Sequence, residues 1–161
     1  MKNLFFISIL TVASFAVQAQ KTSPLKFSLG LEAALPLGDF ADESPFGIGG
    51  TMQADYYIAK KFALTLNMGY ISFSGKTVDG DKYDAFGIIP LLGGFKYDLT
   101  PQLYGAAQLG VSFLNSGSAF TYAPSLGYKF SENFDVLLKY TGYLVYFNTA
   151  NTVGLRIAYT F

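Results

Sequence analysis

The chain has 161 residues, eleven basic against eleven acidic, and neither cysteine nor histidine. That length fits a single domain. The even charge excludes an electrostatic attraction to nucleic acid, and the absence of cysteine excludes a disulfide-stapled exported module.

The chain opens "MKNLFFISILTVASFAVQAQ". Lys2, an apolar run from Leu4 to Val17 and small residues near Ala19 have the layout of a secretory signal peptide. The run is shorter than the roughly 20 residues a membrane-spanning helix needs. Cleavage is expected after Ala19, with no cysteine following to carry a lipid. The predicted division is therefore a signal peptide over 1–19 and one β domain over 20–161.

Aromatics make up 17% of the chain, all Phe and Tyr, and there are 17 glycines beside 14% charged residues. The charged share is well below the usual quarter. Past the signal peptide, the apolar residues lie in alternation rather than in one block. Alternating apolar and polar residues bounded by turn formers predict strands, and the pattern recurs eight times.

The first run, Leu25 to Leu35, sets Leu25, Phe27, Leu29, Leu31, Ala33 and Leu35 against Lys26, Ser28, Gly30, Glu32 and Ala34. The second, Phe46 to Tyr57, sets Ile48, Met52, Ala54 and Tyr56 against Thr51, Gln53 and Asp55. The third, Phe62 to Phe73, sets Leu64, Leu66, Met68 and Tyr70 against Thr65, Asn67 and Gly69. The fourth, Asp84 to Tyr97, is less regular. Placing Ile89, Leu91, Gly93, Phe95 and Tyr97 on the apolar face puts Lys96 opposite, and Pro90 predicts a bulge or a local loss of pairing.

The fifth run, Leu103 to Phe113, has Leu109 and Val111 opposite Tyr104, Gln108 and Ser112. In the sixth, Ala119 to Phe130, Phe120, Tyr122, Leu126 and Tyr128 oppose Thr121, Ser125 and Lys129. In the seventh, Phe134 to Tyr143, Val136, Leu138 and Tyr140 oppose Asp135, Lys139 and Thr141. The eighth is the ending "TVGLRIAYTF". Between runs, short connections ("IAKK", "DLTP", "SEN") take turns with longer ones ("PLGDFADESP", "SGKTVDGDKY", "LNSGS", "LVYFNTAN"). In an up-and-down barrel this would put tight turns at one end and loops at the other.

Such a barrel can be soluble and apolar inside, like a lipocalin, or transmembrane and apolar outside. Three features favour the membrane. First, the charged strand residues Lys26, Glu32, Asp55, Lys96, Lys129, Asp135, Lys139 and Arg156 all fall on the polar face; a Lys or Arg facing lipid at mid-bilayer costs about 2–4 kcal/mol. Second, that polar face holds mostly small and hydrogen-bonding residues, a poor dry core. Third, aromatics gather near the short turns, with a smaller set (Tyr70, Phe73, Phe120, Tyr140, Tyr143) toward the loops, as two interfacial girdles would. Arg156 is then expected in the lumen, paired with Glu32 across the strands that close the barrel.

The ending, with Val153, Leu155, Ile157, Tyr159 and a terminal Phe161, resembles the C-terminal signature of bacterial outer-membrane barrels. The whole pattern is similar to the small OmpA- and OmpX-type eight-stranded barrels of Gram-negative bacteria, and "PQLYGAAQLGVSF" is similar to a strand common in that β-barrel domain family. The resemblance implies an all-β, eight-stranded antiparallel up-and-down transmembrane barrel in the outer membrane. Its termini would be periplasmic and its longer loops extracellular. It implies the lipid bilayer as the surrounding partner, the barrel-assembly machinery as the reader of the terminal signature, and a monomer.

The absence of histidine removes a Ser–His or Cys–His pair and the usual zinc ligands, as well as a match to the barrel enzymes of that class, which depend on histidine. Asp39, Asp42 and Glu43 share one loop, and "DGDKYD" at 79–84 lacks the glycine and closing Glu of a calcium loop; both read as solvated rim acids. "GIGG" and "LLGGF" lack the strand-to-helix switch of a phosphate cradle. No catalytic residue, metal or cofactor is expected. The predicted role is structural or surface interaction, with a narrow channel or a soluble ligand-binding barrel as alternatives.

Overall fold

A strand whose side chains alternate between lipid and an enclosed face must still pair every backbone group, because hydrocarbon offers no hydrogen bonds. The computed structural model meets this by closure. It describes residues 24–161 except 76, 79, 80, 83, 84, 116, 146 and 147. The expected signal peptide and most of "DGDKYD" lie outside the described residues.

The elements are β1 (Leu25–Leu37), α1 (Phe40–Glu43), β2 (Gly47–Ala59), β3 (Phe62–Phe73), β4 (Thr77–Val78), β5 (Asp81–Lys82), β6 (Phe86–Asp98), β7 (Leu103–Leu114), β8 (Gly117–Lys129), β9 (Phe134–Val145) and β10 (Asn148–Thr160). Eight strands form one closed barrel in the order β1–β2–β3–β6–β7–β8–β9–β10, and β4–β5 is a separate small hairpin. Each barrel strand is antiparallel to its neighbours; β10 returns to β1 with Leu31 opposite Ile157 and Glu32 opposite Arg156. The backbone N–H of Phe161 donates to the carbonyl of Phe27 at 2.9 Å, closing the seam at the turn end.

The faces follow the alternation. Leu31 is 72% exposed, and Leu29, Met52, Leu66, Leu91, Leu109, Leu138 and Ile157 are exposed with it, while Glu32, Asp55, Asn67, Gln108, Lys139 and Arg156 are buried. This inverts a soluble barrel and excludes the lipocalin-like alternative.

Two details differ from expectation and a third is narrowed. The alternation of loop lengths does not hold. β7 and β8 are joined by residues 115–116 and β9 and β10 by residues 146–147, with Val145 directly opposite Asn148. Backbone pairing is indifferent to side-chain polarity, so the ladder runs on through polar residues such as Asn151 that read as loop. Longer connections remain only between β1 and β2 and between β3 and β6. Of the two outcomes expected at Pro90, the local loss of pairing is the one found: Met68–Leu91 and Ile71–Ile88 keep one register, and the pairs between them are lost, as a residue with no N–H requires. The register shift lies instead between Tyr57 and Ala59 in β2. Lastly, Phe73 and Tyr143, expected in a girdle, are 0% and 3% exposed.

Those two rings belong to an apolar plug. Phe40, Ile71, Phe73, Ile88 and Tyr143 pack inside the loop end, with Phe86 against them. Gly38, at φ 61°, turns the chain after β1 into the one-turn α1, a backbone region that glycine enters without strain. Phe40 thereby drops inward, its ring 5.2 Å from Phe73 and 5.9 Å from Phe86.

A barrel this narrow bends its strands sharply. A Cβ on Gly94 would come within 2.1 Å of the Ala107 carbonyl oxygen on the adjoining strand, whereas one on Gly105 would meet nothing within 4 Å. Gly94→Ala is expected to cost about 1–3 kcal/mol by forcing a backbone shift, and Gly105→Ala to stay within about 0.5 kcal/mol of the parent. Urea unfolding in lipid vesicles measures both.

Candidate functional site

The candidate site is the lumen and its two mouths. Inward-pointing residues of neighbouring strands meet there at short range. Buried charges without partners are costly, so what each one touches decides what the lumen does.

In the middle layer, Lys139 Nζ of β9 contacts Glu32 Oε1 of β1 at 2.6 Å, with the side chains 3% and 2% exposed. Arg156 stands opposite Glu32 in register but does not pair with it. Its Nε donates to Thr51 Oγ1 at 2.7 Å and its Nη2 to Ser28 Oγ at 3.1 Å. The expected Arg156–Glu32 pair is corrected accordingly. Lys139, opposite Gly154 on β9, takes the carboxylate instead, and the guanidinium passes close to Gly30, where a Cβ would sit 2.6 Å from Nε. Glycine at 30 thus makes room for the arginine. Glu32 Oε2 has no hydrogen-bond partner among the described residues.

Toward the turn end a second network forms. Lys96 Nζ lies 2.9 Å from Asp55 Oδ2, and Gln53 Nε2 donates to Asp55 Oδ1 at 2.7 Å. Gln108 Nε2 donates to Thr65 Oγ1 at 3.0 Å, and more weakly to Gln53 Oε1 at 3.3 Å. The Tyr104 hydroxyl donates to Asp135, and Lys96 Nζ sits 4.1 Å above the Tyr104 ring. Below it, Lys129 pairs with Asp98 at 2.7 Å. Lys26 stands at the mouth, 5.5 Å from the Tyr57 ring centre. A cavity of about 590 Å³ opens here, bordered by Lys26, Asp55, Tyr57, Lys96, Lys129 and Asp135.

Of the eight charged residues singled out in the sequence, six join ion pairs or hydrogen bonds as acids or bases of these networks, Arg156 bonds two hydroxyls, and Lys26 approaches the Tyr57 ring without an ion pair among the described residues. Asp98 completes the set and was missed. Its place two residues beyond Lys96 on the same face was the signal, but "DLTP" read as a turn. Val153, Leu155, Ile157 and Tyr159 alternate along the outer face of β10, and the Tyr159 ring packs edge-on between Phe134 at 4.9 Å and Phe161 at 5.2 Å.

The described residues bring no three potential metal ligands of the His, Cys, Asp and Glu types together. The rim acids Asp39 and Asp42 flank Phe40 without forming such a group.

The Lys139–Glu32 pair can be tested directly. Removing one partner strands a buried charge, so Lys139→Met should lower stability by about 3–5 kcal/mol. The double replacement Glu32→Met/Lys139→Met should recover most of that loss. A double-mutant cycle by urea unfolding in vesicles reads the coupling, and additive losses would show that the pair is not an electrostatic unit.

Comparison with known proteins agrees with this geometry. No curated protein matches the sequence. Among solved structures, the chain is similar to Ail, the attachment invasion locus protein of Yersinia pestis, at 12% identity and a TM-score of 0.61, covering 87% of this chain and 100% of that one. It is similar to the N-terminal β-barrel domain of Pseudomonas aeruginosa OprF at 16% identity and a TM-score of 0.60, covering 84% and 97%. Neisserial surface protein A aligns at 14% identity and a TM-score of 0.55, covering 86% and 98%. At such identities these likenesses speak for the fold. The family model for the outer membrane protein beta-barrel domain matches residues 7–161. With its apolar face turned to lipid and its charges enclosed, the chain belongs to the outer membrane protein beta-barrel domain family and resides in the outer membrane.

Proposed function

We propose that this protein is a non-enzymatic, filled barrel whose role is structural or one of surface contact in the cell envelope. The observation that carries the reading is the plug. Phe40, Phe73, Phe86 and Tyr143 pack across the lumen at the loop end, above two layers of mutually bonded polar side chains. An interior of eight strands is about filled by its own side chains, and the mesh of ion pairs leaves a diffusing solute nothing to replace. The lumen charges Lys26, Glu32, Asp55, Lys96, Lys129, Asp135, Lys139 and Arg156 are assigned a structural role. The narrow-channel alternative has the cavity at the turn end in its favour, but that cavity meets the networks rather than the opposite mouth.

The termini and tight turns face the periplasm in this reading, and the β1–β2 and β3–β6 connections face outward. The leader over residues 1–19 is removed on export. The ending Val153, Leu155, Ile157, Tyr159 and Phe161 serves the barrel-assembly machinery, and the barrel is a monomer.

Two measurements check this. Purified protein in planar bilayers should give no discrete conductance steps; regular steps would reject the filled barrel. Because the native chain has no cysteine, single replacements are clean reporters. A membrane-impermeant maleimide should label Asp42→Cys on intact cells, and Glu132→Cys only after permeabilisation. The reverse pattern would invert the orientation.

A further inference from the structure

At the turn end, a cavity of about 420 Å³ adjoins the lumen mouth, sharing Lys26, Tyr57 and Lys129 with it, and opens between the start of β1, the end of β2 and the β2–β3 turn, where Pro24, Ile58, Lys60 and Asp98 join its lining. Its charge is unbalanced. Three lysines face one acid, and that acid is held by Lys129 at 2.7 Å. Lys26 and Lys60 have no carboxylate within ion-pair distance among the described residues. Asp55 stands opposite Lys26 in the ladder but is held by Lys96 at 2.9 Å, so neither lysine has an acid of its own among the described residues.

The walls differ in chemistry. Lys26 and Tyr57 belong to the lumen side, where the lysine approaches the ring. Ile58 is 56% exposed beside Tyr56, itself exposed, in the aromatic girdle. The two walls meet at the register shift between Tyr57 and Ala59. A bulge leaves one residue unpaired and bends its strand, a device often used to re-aim side chains beside a site. Here it sets an apolar residue, Ile58, at the lip of a cationic cavity at the level of the membrane–water interface.

We propose that this cavity binds the phosphate of an anionic phospholipid headgroup, with the acyl chains lying along the outer face past Ile58 and Tyr56. Lys26 and Lys60 supply the two charges. Basic side chains at a membrane surface attract anionic lipid additively, and an ammonium is a point-charge partner for phosphate. A free anion would use only the lysines. The apolar lip gives a lipid a second contact, and this favours the lipid as the source. The leaflet concerned is the inner one, an assignment that rests on the periplasmic orientation proposed above. Binding itself does not depend on that orientation.

The test uses the full mature barrel reconstituted in equal parts phosphatidylglycerol and phosphatidylcholine, released in detergent and weighed by native mass spectrometry. The wild type should retain one phosphatidylglycerol, preferred about tenfold or more over phosphatidylcholine. Lys26→Gln/Lys60→Gln should bring the two lipids to near-equal retention. Lys60→Gln alone, a change in an exposed turn, should lower the preference without disturbing the barrel. Lys61→Gln, beside the cavity but not lining it, should leave the preference intact. Equal retention by the wild type, or a preference unmoved by the double replacement, would overturn the proposal. Inorganic phosphate titrated into the barrel in zwitterionic micelles separates the sources: saturable shifts of the lysine Nζ resonances without lipid preference would assign the cavity to free phosphate and sink the lipid. Cysteine labelling on cells decides the orientation separately.

Discussion

Every backbone donor and acceptor that enters the hydrocarbon must find its partner within the protein. The rest of this structure depends on that constraint. It forbids a free sheet edge, so β10 must return to β1, and it allows only two directions for side chains. Once the barrel closes on eight strands, the inward direction leads to a space little wider than the side chains that fill it. Glycine at positions such as 94 and 110 follows directly, because a Cβ there would strike the carbonyl of the neighbouring strand at 2.1 and 2.2 Å.

The same narrowness explains how the charges are arranged. Desolvated ions are tolerated only when paired or well hydrogen-bonded, and inward residues of adjacent strands are close enough to arrange this locally. Lys139 and Glu32 neutralise each other, as do Lys96 and Asp55. Arg156 has no such counter-ion among the described residues and relies on the hydroxyls of Thr51 and Ser28. Its delocalised charge is more weakly hydrated than an ammonium and suits that setting better. At the loop end the interior changes character and becomes aromatic. The barrel is thus wet and ionic toward the turns and dry toward the loops.

Much of this was legible in the sequence because period two survives any detail of twist or tilt. The in/out assignment of Leu66, Leu138, Asp55 or Lys139 needs only parity. Partner choice was not legible. Glu32 faces Arg156 in the ladder, yet a lysine from the next strand but one takes the carboxylate, and such contacts depend on stagger and rotamer. The plug was missed for a similar reason. Phe73 and Tyr143 look like girdle aromatics by composition, and although parity places both on the inner face, an aromatic on the polar side was read as an interfacial one. Nothing local marks Phe40 as a stopper, since its burial depends on the turn at Gly38 and on rings from β3 and β6. Loop ends were misjudged where polar side chains continued a strand, because hydrophobic alternation reports the membrane's thickness rather than the ladder's length.

A barrel filled from within has its chemistry left at the rims, and the two rims differ. At the loop end, α1 lies in the β1–β2 connection and the β4–β5 hairpin in the β3–β6 connection, while the β7–β8 and β9–β10 connections are two residues each. At the turn end, the polar networks reach a mouth beside which Lys26 and Lys60 make no ion pair among the described residues, and the outer wall is aromatic and aliphatic. The lumen's charges are satisfied wherever strands can supply both signs. Asp55 stands opposite Lys26 in the ladder but is taken by Lys96, Lys60 lies in the β2–β3 turn, and in the proposed reading the surrounding membrane is the remaining source of negative charge.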